Sequence, residues 1–173
     1  MKKILIPSVI LATFLFVSYL WMSSRLADSE LIITFCLRSG AHFIISLLLM
    51  IWVKKKYFSN SITFNSAFRT QTIFEISGTV LAAVSVFIFW KYNPEKLATL
   101  MQIAIKNGKQ SAIDYQGSIP ALDYEILYGR VFNPEHQAFR QMGSMLFGIF
   151  YSLITAAILK TKNPNTEVEE SKM

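Results

Sequence analysis

Four long apolar runs decide what this chain can fold into. They cover residues 4–22, 31–53, 71–90 and 142–159. A helix needs about 20 apolar residues to cross a hydrocarbon core about 30 Å thick, and each run is close to that length. In lipid every backbone polar group must be satisfied within the segment, so such runs are read as helices. The first and fourth carry no charge. The second holds Arg38 and His42, and the third holds Glu75. The expected fold is all-α: a four-transmembrane-helix bundle forming one membrane domain over residues 1–162. Residues 163–173 are polar and acidic and read as a disordered tail.

Composition narrows the class further. Only 16% of residues are charged, against about 25% in soluble domains, too few to cover a water-facing surface. An apolar content of 53% excludes disorder of the chain as a whole. The single cysteine, Cys36, excludes an internal disulfide framework and a zinc cluster built on cysteine pairs. It lies in the outer half of the second run and reads as a buried apolar filler. The first run follows Lys2 and Lys3, like a signal peptide. It is longer than the usual h-region of about 7–15 residues, and no small-x-small cleavage pattern follows, so it reads as a retained helix.

Lysine and arginine set the expected orientation. With the N-terminus inside, nine of them (Lys2, Lys3, Lys54, Lys55, Lys56, Arg69, Lys160, Lys162 and Lys172) lie in three short cytoplasmic segments. The first outer loop holds Arg25 against Asp28 and Glu30. The second, residues 91–141, is nearly balanced, with six positive and five negative residues. The positive-inside rule then places both termini in the cytoplasm. The net charge of +6 is explained by this anchoring to the bilayer, and no nucleic-acid partner is called for. Tyr19, Trp21, Trp52, Trp90 and Tyr92 stand at span ends, where amphipathic rings favour the headgroup level.

The outer segment 91–141 is too small for a core of its own. Asn93-Pro94-Glu95 reads as an N-cap, a proline at the first helical position and an acid in the first turn. Leu97, Leu100, Met101, Ala104 and Ile105 then form one apolar stripe. Asn107-Gly108 reads as the end of this amphipathic helix. The same cap recurs at Asn133-Pro134-Glu135, and residues 134–160 read as one helix. Between them, residues 108–132 carry the breakers Gly117, Pro120 and Gly129 beside Tyr115, Tyr124 and Tyr128. They read as a solvated connector or a contact surface.

The candidate polar site lies inside the spans. Glu30, Thr34, Arg38, His42 and Ser46 are four apart, so they follow one band of the second helix. Ionisable groups in a span face the bundle interior or a cavity, which makes Arg38 and His42 candidates. Arg38 is expected to snorkel outward or to pair with a carboxylate. His42, near the midplane, is expected to bond a neighbouring helix. Glu75, counted from residue 71, lies about 6 Å into the third span. That depth separates it from Arg38 and assigns it to Lys54, Lys55 or Arg69. Gly78 and Ala82, and the ladder Ser144, Gly148, Ser152 and Ala156, read as close helix-packing faces. Their partner, within the chain or in a second copy, is left open. No hydrolase, zinc-protease, phosphate-loop or metal-ligand spacing is found, and the chain is read as non-enzymatic and without cofactor or metal.

The stretch SITFNSAFRTQTIFEISGTVLAAVSVFIFWKYNPEKLATLM resembles a family of small bacterial inner-membrane proteins known as domain of unknown function family 4199. Phe64, Ala67 and Phe68 match its aromatic segment before the third span. Asn93-Pro94-Glu95 matches its Asn-Pro-acid, and FGIFYSLITAAILKTKNP is similar to its closing helix. The segment around Gly117-Ser118-Ile119-Pro120 departs from the pattern. The resemblance implies a four-span inner-membrane protein with no assigned activity, and it brings no catalytic residues. Two functions are expected from the whole: a membrane subunit or scaffold binding an envelope partner or a second copy, or a small oligomeric ion or small-molecule transporter using Arg38, His42 and Glu75.

Overall fold

The computed structural model describes residues 2–24, 31–116 and 123–161. Among them there are helices and no strands: α1 (Lys2–Ser24), α2 (Leu31–Tyr57), α3 (Phe64–Lys91), α4 (Pro94–Gln116), α5 (Tyr124–Val131), α6 (Pro134–Met142) and α7 (Ser144–Leu159). Four stretches are long and apolar enough to cross a membrane: Ile4–Ser23, Phe35–Tyr57, Phe64–Lys91 and Pro134–Leu159. Their outward surface is apolar. Leu5, Leu37, Leu48 and Leu146 are more than half exposed, a surface that suits lipid and would associate in water. The tail 163–173 and the breakers Gly117 and Pro120 lie outside the described residues.

Helix α3 is the hub and packs against α1, α6 and α7. Lipid supplies no hydrophobic drive between helices, so close packing must do it, and small residues permit that. At Gly78 an added Cβ would stand 3.1 Å from the Ser8 carbonyl and from Leu11 of α1. Ala82, Gly148, Ser152 and Ala156 are likewise buried, and Ser144 is partly covered. Leu11, Leu15, Met50, Val53 and Phe74 fill the core beside them.

The third span differs from its expected bounds. Thr63, not a residue near 71, starts the helix: its side chain accepts from the Ser66 amide at 3.3 Å. Seven residues of moderate polarity before Gln71 are therefore helical. Ser59 and Asn60 take positive φ in the preceding turn, and the Asn60 amide returns to the Lys54 carbonyl. Here Lys54 Nζ also donates to the Leu159 carbonyl at 2.9 Å. A cation at the end of α7 satisfies one of its orphan carbonyls. The Thr161 amide donates to Ile62 O at 2.9 Å, and the Ile62 amide donates to Thr161 Oγ1 at 3.0 Å, so the α2–α3 turn and the end of α7 are joined. Lys54→Met is expected to lower stability in detergent by about 1 kcal/mol. Lys55→Met, on an exposed side chain, is expected to stay within about 0.5 kcal/mol. Thermal unfolding of both variants checks this.

Residues 91–141 depart from expectation in four ways. Asn93 does not cap α4. Its amide turns back to donate to Phe89 O at 2.7 Å and so closes α3. Helix α4 runs through Asn107-Gly108 to Gln116. Gly108 packs against α5 instead, where a Cβ would stand 2.6 Å from the Tyr128 hydroxyl. The connector contains α5, whose N-cap Asp123 accepts from the amides of Glu125 and Ile126 at 3.0 Å. Within it Tyr124 is buried and stacks with Tyr128, which is partly exposed. The last long helix is divided at Gly143 into α6 and α7. Asn133 does cap α6, accepting from the His136 amide at 2.6 Å.

Two expected interface aromatics belong to the core. Tyr19 and Trp90 are buried with Val86 and Leu97, and Trp90 Nε1 donates to the Tyr19 hydroxyl at 3.3 Å. Cys36 is exposed on α2 rather than buried, on the face that carries Ile33 and Leu37.

Candidate functional site

Arg38, His42 and Glu75 fall into two joints between helices. The first links α2 to α3. His42 Nε2 stands 3.0 Å from Glu75 Oε2, and the Ser46 hydroxyl donates to Glu75 Oε1. His42 and Ser46 are one turn apart, so both reach the same carboxyl. Glu75 and Ser46 are fully buried and His42 nearly so. Gly148 of α7 closes the third side. A Cβ added there would lie 2.6 Å from Glu75 Oε2. Tyr151, one turn later, sets its ring edge-on to His42 at 5.2 Å between centroids and donates its hydroxyl to Ser39 O at 3.2 Å. One turn before Glu75, Gln71 Nε2 donates to Thr155 Oγ1 of α7 at 3.3 Å.

This corrects the expected pairing of Glu75. It does not meet Lys54, Lys55 or Arg69. Its depth was counted from residue 71, whereas α3 starts at Phe64. Eleven residues separate Phe64 from Glu75, about 16 Å along the helix. His42 is fifteen residues before Tyr57, the last residue of α2, about 22 Å from that same end. The remaining difference is within the reach of the two side chains.

The second joint gathers α1, α2 and α6. Arg38 Nε donates to Ser18 Oγ at 3.2 Å, and Nη2 donates to Gln141 Oε1 at 2.7 Å. Arg38 thus neither snorkels out nor meets a carboxylate. Tyr19 donates its hydroxyl to Gln137 Oε1, and Gln137 Nε2 donates to Val131 O at 2.9 Å. Gln137 and Gln141 are both buried. Sequence reading passed over these two glutamines, although their spacing of four would have put them on one face of α6.

A cleft of about 190 Å³ reaches between the joints, lined by Leu15, Phe35, Arg38, His42, Arg140 and Phe147 among others. His42 therefore faces the cleft while bonded to Glu75. Among the described residues no group of three or more His, Cys, Asp or Glu side chains is placed to hold a metal ion. Compared with known proteins, the chain matches no family model, no curated protein and no solved structure.

Proposed function

We propose that this chain is a non-enzymatic membrane subunit or scaffold that acts by binding an envelope partner. One observation carries the reading: Arg38, His42 and Glu75 are committed to helix–helix joints. Both oxygens of Glu75 are engaged, by His42 and Ser46, and Gly148 leaves the carboxyl no free volume. Such a joint fixes helices, and its carboxyl offers no open face to a substrate. The small-residue faces are also occupied within the chain, so they leave little for a second copy. The exposed apolar side chains outside the core, Ile126 at 59% and Phe139 at 71%, are better placed to meet a partner. The lysine and arginine distribution supports the bacterial inner membrane with both termini cytoplasmic. Family 4199 remains the family proposed, and it adds no activity to this reading.

The test is purification from native membranes in mild detergent, with mass spectrometry of what accompanies the chain. A stoichiometric protein is expected, lost on Phe139→Ser and Ile126→Ser together. A clean homo-oligomer would contradict it.

A second reading, an ion or proton pathway, draws on the exposure of His42 to the cleft. It requires that His42→Gln abolish flux in proteoliposomes while the protein stays abundant.

A further inference from the structure

We propose that the cleft between α2 and the α6–α7 helix binds the phosphate of an anionic lipid. This site is independent of the subunit reading and stands without it. The cleft places Arg38, Arg140 and His42 along one opening, and no Asp or Glu lines it. Arg38 is held by Ser18 and Gln141, whose oxygens are neutral. They aim the guanidinium without cancelling its charge. The Arg140 guanidinium makes no hydrogen bond or ion pair among the described residues. Glu75 is engaged by His42 and Ser46 and does not line the cleft. Two guanidiniums therefore share one cleft that no carboxylate of the described residues lines.

Cations in a membrane-spanning segment are costly unless paired. Guanidinium matches phosphate through paired N–H donors, so phosphate is the anion this arrangement recognises best. The rim selects the source. Phe35 and Phe147 pack edge to face at 6.0 Å and are 43% and 44% exposed on the outward surface. Leu146 beside them is 70% exposed. A free phosphate would use none of this surface. A lipid would place its phosphate against the arginines and lay its acyl chains along these side chains, as basic pockets between spanning helices do with headgroups.

The test uses the full chain in a neutral maltoside detergent. It is titrated separately with phosphatidylglycerol, phosphatidylcholine and inorganic phosphate, and read by native mass spectrometry and by thermal midpoint. Phosphatidylglycerol is expected to remain bound and to raise the midpoint, and phosphatidylcholine is not. Arg140→Gln is expected to weaken phosphatidylglycerol binding by about tenfold, the loss of one charged hydrogen-bonding group. Its lipid-free midpoint should be unchanged, because the Arg140 guanidinium makes no hydrogen bond or ion pair among the described residues. If inorganic phosphate alone reproduces the midpoint rise and the Arg140 dependence, the phosphate site stands and its source is soluble. Equal binding of phosphatidylcholine, binding that ignores Arg140→Gln, or no binding of either phosphate source would overturn the proposal.

Discussion

Gly148→Ala is expected to destabilise the protein by about 3 kcal/mol, combining overpacking with damage to a buried hydrogen bond. The sign is opposite to the usual one. In a helix interior, glycine is worse than alanine by about 0.5–1 kcal/mol. Here the new methyl would stand 2.6 Å from Glu75 Oε2 and 3.1 Å from its Cδ. That carboxyl is fully buried and held on its other sides by Ser46 and His42. To make room it must leave one of them, or α7 must move off α3. Gly40 provides the control. It is also inside a helix, with nothing within 4 Å of its added Cβ. Gly40→Ala should therefore be neutral or stabilising by about 0.5–1 kcal/mol. Thermal unfolding of both variants in one detergent decides the matter. Equal effects would mean that Gly148 does not seat the carboxyl.

Glu75→Leu is expected to cost about 3 kcal/mol, because removing one partner leaves the other buried and unpaired. Both His42 and the Ser46 hydroxyl lose their acceptor. Glu75→Gln keeps one carbonyl oxygen and nearly the same volume, and should cost about 1 kcal/mol. A wide gap between the two variants identifies hydrogen bonding, rather than volume, as what the site contributes. Loss of stability by the same amount in both would assign the role to the carboxylate charge.

Much of the fold was legible in the apolar runs, because their length leaves one solution in lipid. The ends were less so. Capped by Thr63, α3 starts at Phe64, seven residues earlier than the hydropathy of residues 71–90 suggests, since a side-chain cap and a moderately polar first turn carry little hydrophobic signal. That shift moved Glu75 toward mid-helix and changed its partner. Asn93 and Asn133 introduce the same three residues but act differently: Asn133 caps the helix that follows, and Asn93 closes the helix before it. Local sequence does not distinguish them, because the difference lies in the preceding chain. Gly108 reads as a helix end from sequence, yet it is a packing position against Tyr128, twenty residues away. His42 and Arg38 were visible as polar residues within an apolar span. Their acceptors, Glu75 and Gln141, depend on helix register across the bundle, which one chain's periodicity does not contain.

The central claim is that Glu75 and His42 join α3 to α2 directly. The most direct measurement is a double-mutant cycle on unfolding in detergent, with His42→Leu, Glu75→Leu and the pair. The account predicts a coupling of about 1–2 kcal/mol, at the upper end of hydrogen bonds measured between membrane helices. The second substitution should then cost much less once the first is present. Additive losses, within about 0.5 kcal/mol, would show that the two residues act separately and would contradict the joint.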